Sequence, residues 1–171
     1  MLVCPFRSEV FVMEQKGLSK WLKFIIIGIG LCGIVVYFLV IPEFGSAIAY
    51  ENPEYEWAYY PWLIFLWITA VPCYVVLFFG WKISSRIGKD KSFCRENAKD
   101  LKRISLLAAG DSIFFFIMNV IYLFIGINHV GIVLGSLIVT FFGVAITVAS
   151  AALSHLVMKA AKLQEENDLT I

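Results

Sequence analysis

Charge is scarce in this chain. Its 14 Lys and Arg and 13 Asp and Glu make up 16% of 171 residues, against 60% hydrophobic residues. Soluble domains carry about 25% charged residues, so an ordinary water-soluble fold is excluded. Only two histidines occur, His129 and His155, at opposite ends of one apolar run, so no shared catalytic pair is available. The four cysteines show neither C-x-x-C spacing nor a Cys/His cluster, which argues against a disulfide framework and against a zinc site. No G-x-S-x-G, H-E-x-x-H, Walker loop or G-x-G-x-x-G is present, and Gly28-Ile29-Gly30 lies inside an apolar run where it cannot cradle phosphate. No N-x-Ser/Thr acceptor occurs either. Neither a cofactor nor catalysis is expected.

What is present is four long apolar runs, at 24–41, 62–81, 104–127 and 130–158. Each approaches the roughly 20 residues needed to cross about 30 Å of hydrocarbon. Lysine and arginine are missing from both 42–61 and the connection between the third and fourth runs; the first of these holds Glu43, Glu51, Glu54 and Glu56 instead. All the basic residues fall in 1–23, in the loop 82–103, or in the tail 159–171. Positively charged loops resist translocation, so those three pieces are assigned to the cytoplasm. The expectation is an all-α polytopic protein of the bacterial cell membrane, with four transmembrane helices and both termini inside. The third and fourth spans form an antiparallel hairpin. The basic residues are accounted for by orientation within the lipid bilayer, and direct nucleic-acid binding is not expected.

The N-terminus raises two processing questions. Glu9-Val10 can be encoded with an internal ribosome-binding sequence just ahead of Met13, so residues 1–12 read as a translation-start over-call. Ala47-Ile48-Ala49 has the small-x-small form of a signal-peptide cleavage site, but the run Phe24–Ile41 exceeds the usual apolar length, and a retained first helix is favoured.

Within the 24–158 membrane domain, Gly28, Gly30 and Gly33 offer close approach to a neighbour, and Pro42 is expected to end the first span. The segment 42–61, with Tyr50, Tyr55, Trp57, Tyr59, Tyr60 and Trp62 at its edge, suits the headgroup level of the outer surface. Pro61 fits the first turn of the second span. Pro72 frees the carbonyl of Ile68 and predicts a kink, with Thr69 placed to compensate. In the basic loop, Gly88-Lys89-Asp90-Lys91 reads as a turn and Ser92 as an N-cap. Phe93–Arg103 then reads as a short amphipathic helix lying along the inner leaflet. A tight turn is expected around 127–131.

Asp111 is the one carboxylate within a span. On a helical wheel Ala108, Ser112, Asn119, Tyr122 and Gly126 fall within about 100° of it, so the third span carries a polar arc that must meet protein or water. In the fourth span Ser136, Thr140, Gly143, Thr147, Ser150 and Ser154 form a heptad seam of small residues. Counting outward from the turn sets Asp111 level with Ile146 and Thr147, making Thr147 or Ser150 its expected neighbour. A structural carboxylic acid and a proton or cation site both remain open for Asp111, Asn119, Tyr122, Thr147 and Ser150. His155 reads as a polar side chain at the inner interface.

Several segments carry a family resemblance: Asn52-Pro53-Glu54-Tyr55, Tyr60-Pro61, Ile68-Thr69-Ala70-Val71-Pro72, Phe93, Leu101-Lys102-Arg103-Ile104, and the ending Glu165-Glu166-Asn167-Asp168-Leu169-Thr170-Ile171. In these the chain, from about Leu18 onward, resembles the bacterial membrane proteins grouped as domain-of-unknown-function family 2975. That resemblance implies a four-span protein of unestablished activity, encoded beside a small helix-turn-helix regulator. It carries over no catalytic residue and no role for Asp111.

Two readings of function follow. In one, the chain is a membrane-embedded interaction or regulatory protein working through the loop 82–103 and the tail 159–171, with that regulator as partner. The fourth span is longer than the hydrocarbon needs, so it should project inward to about Asn167 and leave Asp168, Leu169, Thr170 and Ile171 extended for docking. In the other, a homo-oligomer forms a small transporter or channel with a polar path at Asp111.

Overall fold

The computed structural model describes residues 5–168, with side chains over 15–167. Among the described residues every regular element is helical. Four helical units, Gln15–Glu51, Pro53–Ile87, Arg95–Ile125 and Val130–Asn167, are long and apolar enough to cross a membrane. The elements are α1 (Pro5–Val35), α2 (Ile41–Glu51), α3 (Tyr59–Ile87), α4 (Arg95–Ile125) and α5 (Val130–Asp168). A π-helical turn, Val36–Val40, joins α1 to α2, and a 3-10 turn, Pro53–Ala58, leads into α3.

The first unit departs from expectation, because Pro42 does not end it. Proline is tolerated in the first turn of a helix, where its missing N–H is harmless. The π turn creates such a position: the Ile41 amide bonds back to the Val36 carbonyl, and α2 restarts with Pro42 in its first turn. The carbonyl that a residue-42 amide would serve in this register, that of Tyr37, accepts instead from the Trp67 indole Nε1 at 3.1 Å. The part 42–51 of the segment placed on the membrane surface by sequence therefore continues the first helical unit, which stops at Asn52 ahead of the 3-10 turn.

The helices stand in an open row. α1 packs on α3, α3 on α4 and α4 on α5; among the described residues α1 closely approaches neither α4 nor α5, and α3 does not closely approach α5. The strongest pairing is the α4–α5 hairpin, closed as expected by a tight turn. Gly126 takes φ +83°, the left-handed conformation that glycine adopts without penalty. Its amide bonds to the Leu123 carbonyl while the Ile127 amide bonds to the Tyr122 carbonyl, a Schellman closure with Ile127 packed in the same cluster as Tyr122. Past the turn, the small seam of α5 meets α4. A Cβ on Gly143 would lie 2.0 Å from Ser112 Oγ. Ser105 Oγ donates to the Thr147 carbonyl at 2.9 Å and Ser154 Oγ to the Ala98 carbonyl at 2.6 Å. Small side chains let the backbones close in without lipid between them.

The α1–α3 contact uses two of the three expected glycines. Tyr74 donates its hydroxyl to the Gly30 carbonyl at 3.1 Å, and a Cβ on Gly33 would sit 2.8 Å from that hydroxyl; nothing lies within 4 Å of a Cβ on Gly28. Nearer the basic end, Ser19 Oγ donates to the Ser84 carbonyl at 2.7 Å and Ser84 Oγ to the Ser19 carbonyl at 3.0 Å. In α3, Pro72 sits inside the helix as expected, but Thr69 Oγ1 bonds the Leu66 carbonyl at 2.8 Å rather than that of Ile68.

The basic loop is shorter than its sequence suggests. Gly88–Lys91 does turn, with Asp90 at φ 59°. The N-cap of α4 is Cys94, and Ser92 instead offers its carbonyl to Asn97. Phe93–Arg103 is no separate surface helix: from Arg95 onward it forms the first turns of α4. Its polar residues Asn97 and Asp100 are buried against α3 and its own loop, while Ala98 and Leu101 are buried against Val157 of α5 and Ile83 of α3.

Candidate functional site

The intramembrane residues singled out from sequence do not form one path. Asp111 is half-buried and faces α3 rather than α5; Cys73 donates its thiol to Asp111 Oδ2 at 3.9 Å. The Tyr37 hydroxyl adjoins both this thiol and the Thr69 hydroxyl, so the π turn, α3 and α4 each contribute a polar side chain. Thr147 and Ser150, expected beside Asp111, lie half-buried on the seam of α5, where Thr147 Oγ1 bonds back to the Gly143 carbonyl at 2.9 Å. It is Ser112, one position on, that turns toward α5. Level with Thr147 is Ser105, six residues or nearly two turns before Asp111.

Asn119 and Tyr122 are spent on the end of the bundle opposite the basic loop. Asn119, 1% exposed, donates to the Phe115 carbonyl at 2.9 Å. Asn128 Nδ2 reaches the Asn119 carbonyl at 3.1 Å and its Oδ1 at 3.3 Å, fixing the hairpin turn. Tyr122 donates to the Pro61 carbonyl at 3.0 Å while Trp62 Nε1 donates to the Ile127 carbonyl at 3.1 Å, lacing α3 to the same turn. Asn119 and Tyr122 share an arc with Asp111 but sit about 12 and 16 Å further along the helix at 1.5 Å per residue. A wheel projection removes that separation.

The denser constellation, missed in the sequence, is at the basic end. Arg86 reaches from the last turn of α3 to Asp100 Oδ2 at 2.6 Å and to Asn97 Oδ1 at 3.1 Å. Arg103 bonds the other oxygen, Asp100 Oδ1, at 3.0 Å, and the Asp100 side chain is only 4% exposed. Asn97 Nδ2 donates to the carbonyls of Lys91 and Ser92 at 3.0 and 2.9 Å, which pins the loop to the helix it precedes. Arg95 pairs with Glu165 across to α5. The 97-100-103 spacing of one helix face was visible in sequence; Arg86, across the loop, was counted only as an orienting charge.

The Arg95–Glu165 pair lines an open polar crevice of about 420 Å³, together with Gln15 of α1, Lys91 and Phe93 of the loop, and Gln164 of α5. Charges of both signs and the Phe93 ring stand at its mouth. Of the proposed tail site, Glu165, Glu166 and Asn167 lie on the last turns of α5 and Asp168 is its final helical residue, not an extended one; Leu169, Thr170 and Ile171 lie outside the described residues. Among the described residues no three His, Cys, Asp or Glu side chains gather as a metal site would need.

Comparison with known proteins places the chain among such membrane proteins. Residues 43–171 match the family described as "Protein of unknown function (DUF2975)". The chain is 31% identical over 153 residues to the "Uncharacterized membrane protein YoaS" of Bacillus subtilis (strain 168), an alignment covering 88% of this chain and 96% of that relative. No solved structure matches. With four membrane-length helices and a match across most of its length, the chain belongs to the DUF2975 family of membrane proteins.

Proposed function

We propose that this protein is an interaction or regulatory protein of the bacterial cell membrane, oriented with its basic end and both termini in the cytoplasm. It acts by holding a partner on the face built from the 82–103 loop and the end of α5. The observation that carries this reading is the convergence of Gln15, the loop and Gln164–Glu165 on one polar crevice, braced by the Arg86–Asp100–Arg103 and Arg95–Glu165 contacts. A merely orienting loop needs charge but no buried network. The first partner to test is a small helix-turn-helix regulator, which such a face would retain at the membrane. Crosslinking pull-down from native membranes tests the reading. Capture is expected with the full chain and is lost when residues 165–171 are deleted; equal capture by both removes its support.

A second reading, an oligomeric transporter or channel, draws on one observation: Asp111 and Cys73 meet at hydrocarbon depth on a partly open face of the helix row. A carboxyl group there is costly unless protein or water covers it, so any path lies between copies. Flux into proteoliposomes that stops with Asp111→Asn supports this reading, and absence of flux under any gradient sinks it.

A further inference from the structure

One face of α3 combines two features that neither reading of function uses. An apolar groove of about 510 Å³ runs along it, walled by Tyr37 and Phe38 of the first unit and by Trp67, Val71, Tyr74 and Phe78 of α3. At the basic end of the groove stand two cations. Lys82 Nζ lies 4.5 Å from the Phe78 ring centre and 5.8 Å from that of Phe79, and the Arg103 guanidinium of α4 lies 5.6 Å from the same Phe79 ring. Phe79 is thus approached by a cation from its own helix and by one from α4. Asp100 holds Arg103 in place at 3.0 Å, while Lys82 has no carboxylate partner among the described residues.

The dimensions select an occupant. From Phe78 to Trp67 is eleven residues, about 16 Å of helix, which is half of a hydrocarbon core of about 30 Å. Within the span 62–81 the groove therefore begins about one turn inside the interface beside Lys82 and ends several ångström past the midplane, a length that one acyl chain from the leaflet at the basic end can fill. Its walls stay open to the membrane, with Val71 at 62% and Phe38 at 59% exposure. A second copy of the chain is a poor occupant, because in the same orientation it brings its own basic loop to the level of Lys82 and Arg103. An anionic headgroup is complementary to them. We propose that this groove and its cation pair form a binding site for one anionic phospholipid, the chain lying along α3 from Phe78 toward Trp67 and the phosphate seated between Lys82 and Arg103.

Native mass spectrometry of the full chain, released from vesicles of mixed phosphatidylglycerol and phosphatidylcholine, tests the site. Phosphatidylglycerol is expected to be retained in preference to phosphatidylcholine. Each basic side chain near a leaflet surface contributes about a fivefold effect, so Lys82→Gln lowers retention about fivefold and the pair with Arg103→Gln about 25-fold. Lys82→Arg keeps the preference, which separates charge from folding. Val71→Trp fills the groove and lowers retention with both cations in place. Equal retention of the two lipids, wild-type retention by the Lys82→Gln variant, or a doubled protein mass in place of bound lipid overturns the proposal. So does full displacement of the lipid by inorganic phosphate, which would make this a free-phosphate site with no use for the groove.

Discussion

Trp67 Nε1 lies 3.1 Å from the carbonyl oxygen of Tyr37 and supplies the hydrogen bond that Pro42 cannot. A proline near the end of a span and a tryptophan in the next helix are thus one device. Without the indole, that carbonyl would sit unpaired where no water is available, which is costly in hydrocarbon. The pairing lets a single helical unit run through Pro42 and lengthens it toward the acidic end.

Removing the indole donor should therefore have a measurable and conditional cost. Trp67→Phe is expected to destabilise the protein by about 1–3 kcal/mol in thermal or denaturant unfolding in detergent. Pro42→Ala restores an amide at that position and should shrink the effect of Trp67→Phe. Additive losses in the double variant would show that the two groups are independent.

The α4–α5 seam makes a steric prediction. Gly143→Val forces its side chain into Ser112 and is expected to cost about 1–3 kcal/mol as overpacking. Gly143→Ala is milder, because the Ser112 hydroxyl can rotate, and Ser112→Gly should rescue it. Unfolding midpoints of the three variants decide the matter; an unchanged midpoint for Gly143→Val contradicts the close approach.

Asp100 is the hub of the basic-end network. Asp100→Ala leaves the partly buried Arg86 without its buried partner and is expected to lower stability by about 3–5 kcal/mol. Replacing both groups, as Arg86→Met with Asp100→Leu, should recover much of that loss, since an apolar pair carries no desolvation cost. Chemical unfolding of the single and double variants measures both.

Glu165 contrasts with Asp100. Its pair with Arg95 is half exposed on each side, and such pairs contribute about 0–1 kcal/mol. Glu165→Ala is thus expected to leave the unfolding midpoint within error while weakening partner capture. A large loss of stability would assign this contact to the fold rather than to the working face.

Orientation is open to direct measurement. In a cysteine-free background, Tyr55→Cys should react with a membrane-impermeant maleimide on intact cells, and Lys89→Cys only after permeabilisation. The opposite pattern would invert the topology, since Tyr55 and Lys89 lie at opposite ends of α3.

Sequence was most informative where the physics is local or one-dimensional. Apolar run length showed the four spans, and residues 127–131 showed the hairpin turn, although the left-handed glycine that closes it, Gly126, read as part of the span. The alternation of small residues from Ser136 to Ser154 showed which face of α5 meets α4. Errors arose where a residue's meaning depended on a partner distant in the chain. Pro42 read as a stop because its compensating donor is 25 residues away at Trp67. The start of α4 read as a surface helix because nothing local marks Asn97 and Asp100 as buried beneath Arg86.

The sequence alone determined that this chain belongs in a bilayer, how many times it can cross, and that its charge is polarised, because hydrocarbon rejects unpaired polar groups at any position. Only the tertiary structure decided which polar groups pair. It turned Asp111 to Cys73 and not Thr147, spent Asn119 and Tyr122 on a turn, and gathered Arg86, Asp100 and Arg103 into one network. Hydrogen bonds and ion pairs require contact within about 3 Å, and that proximity comes from how helices pack, which no periodicity along a single helix encodes.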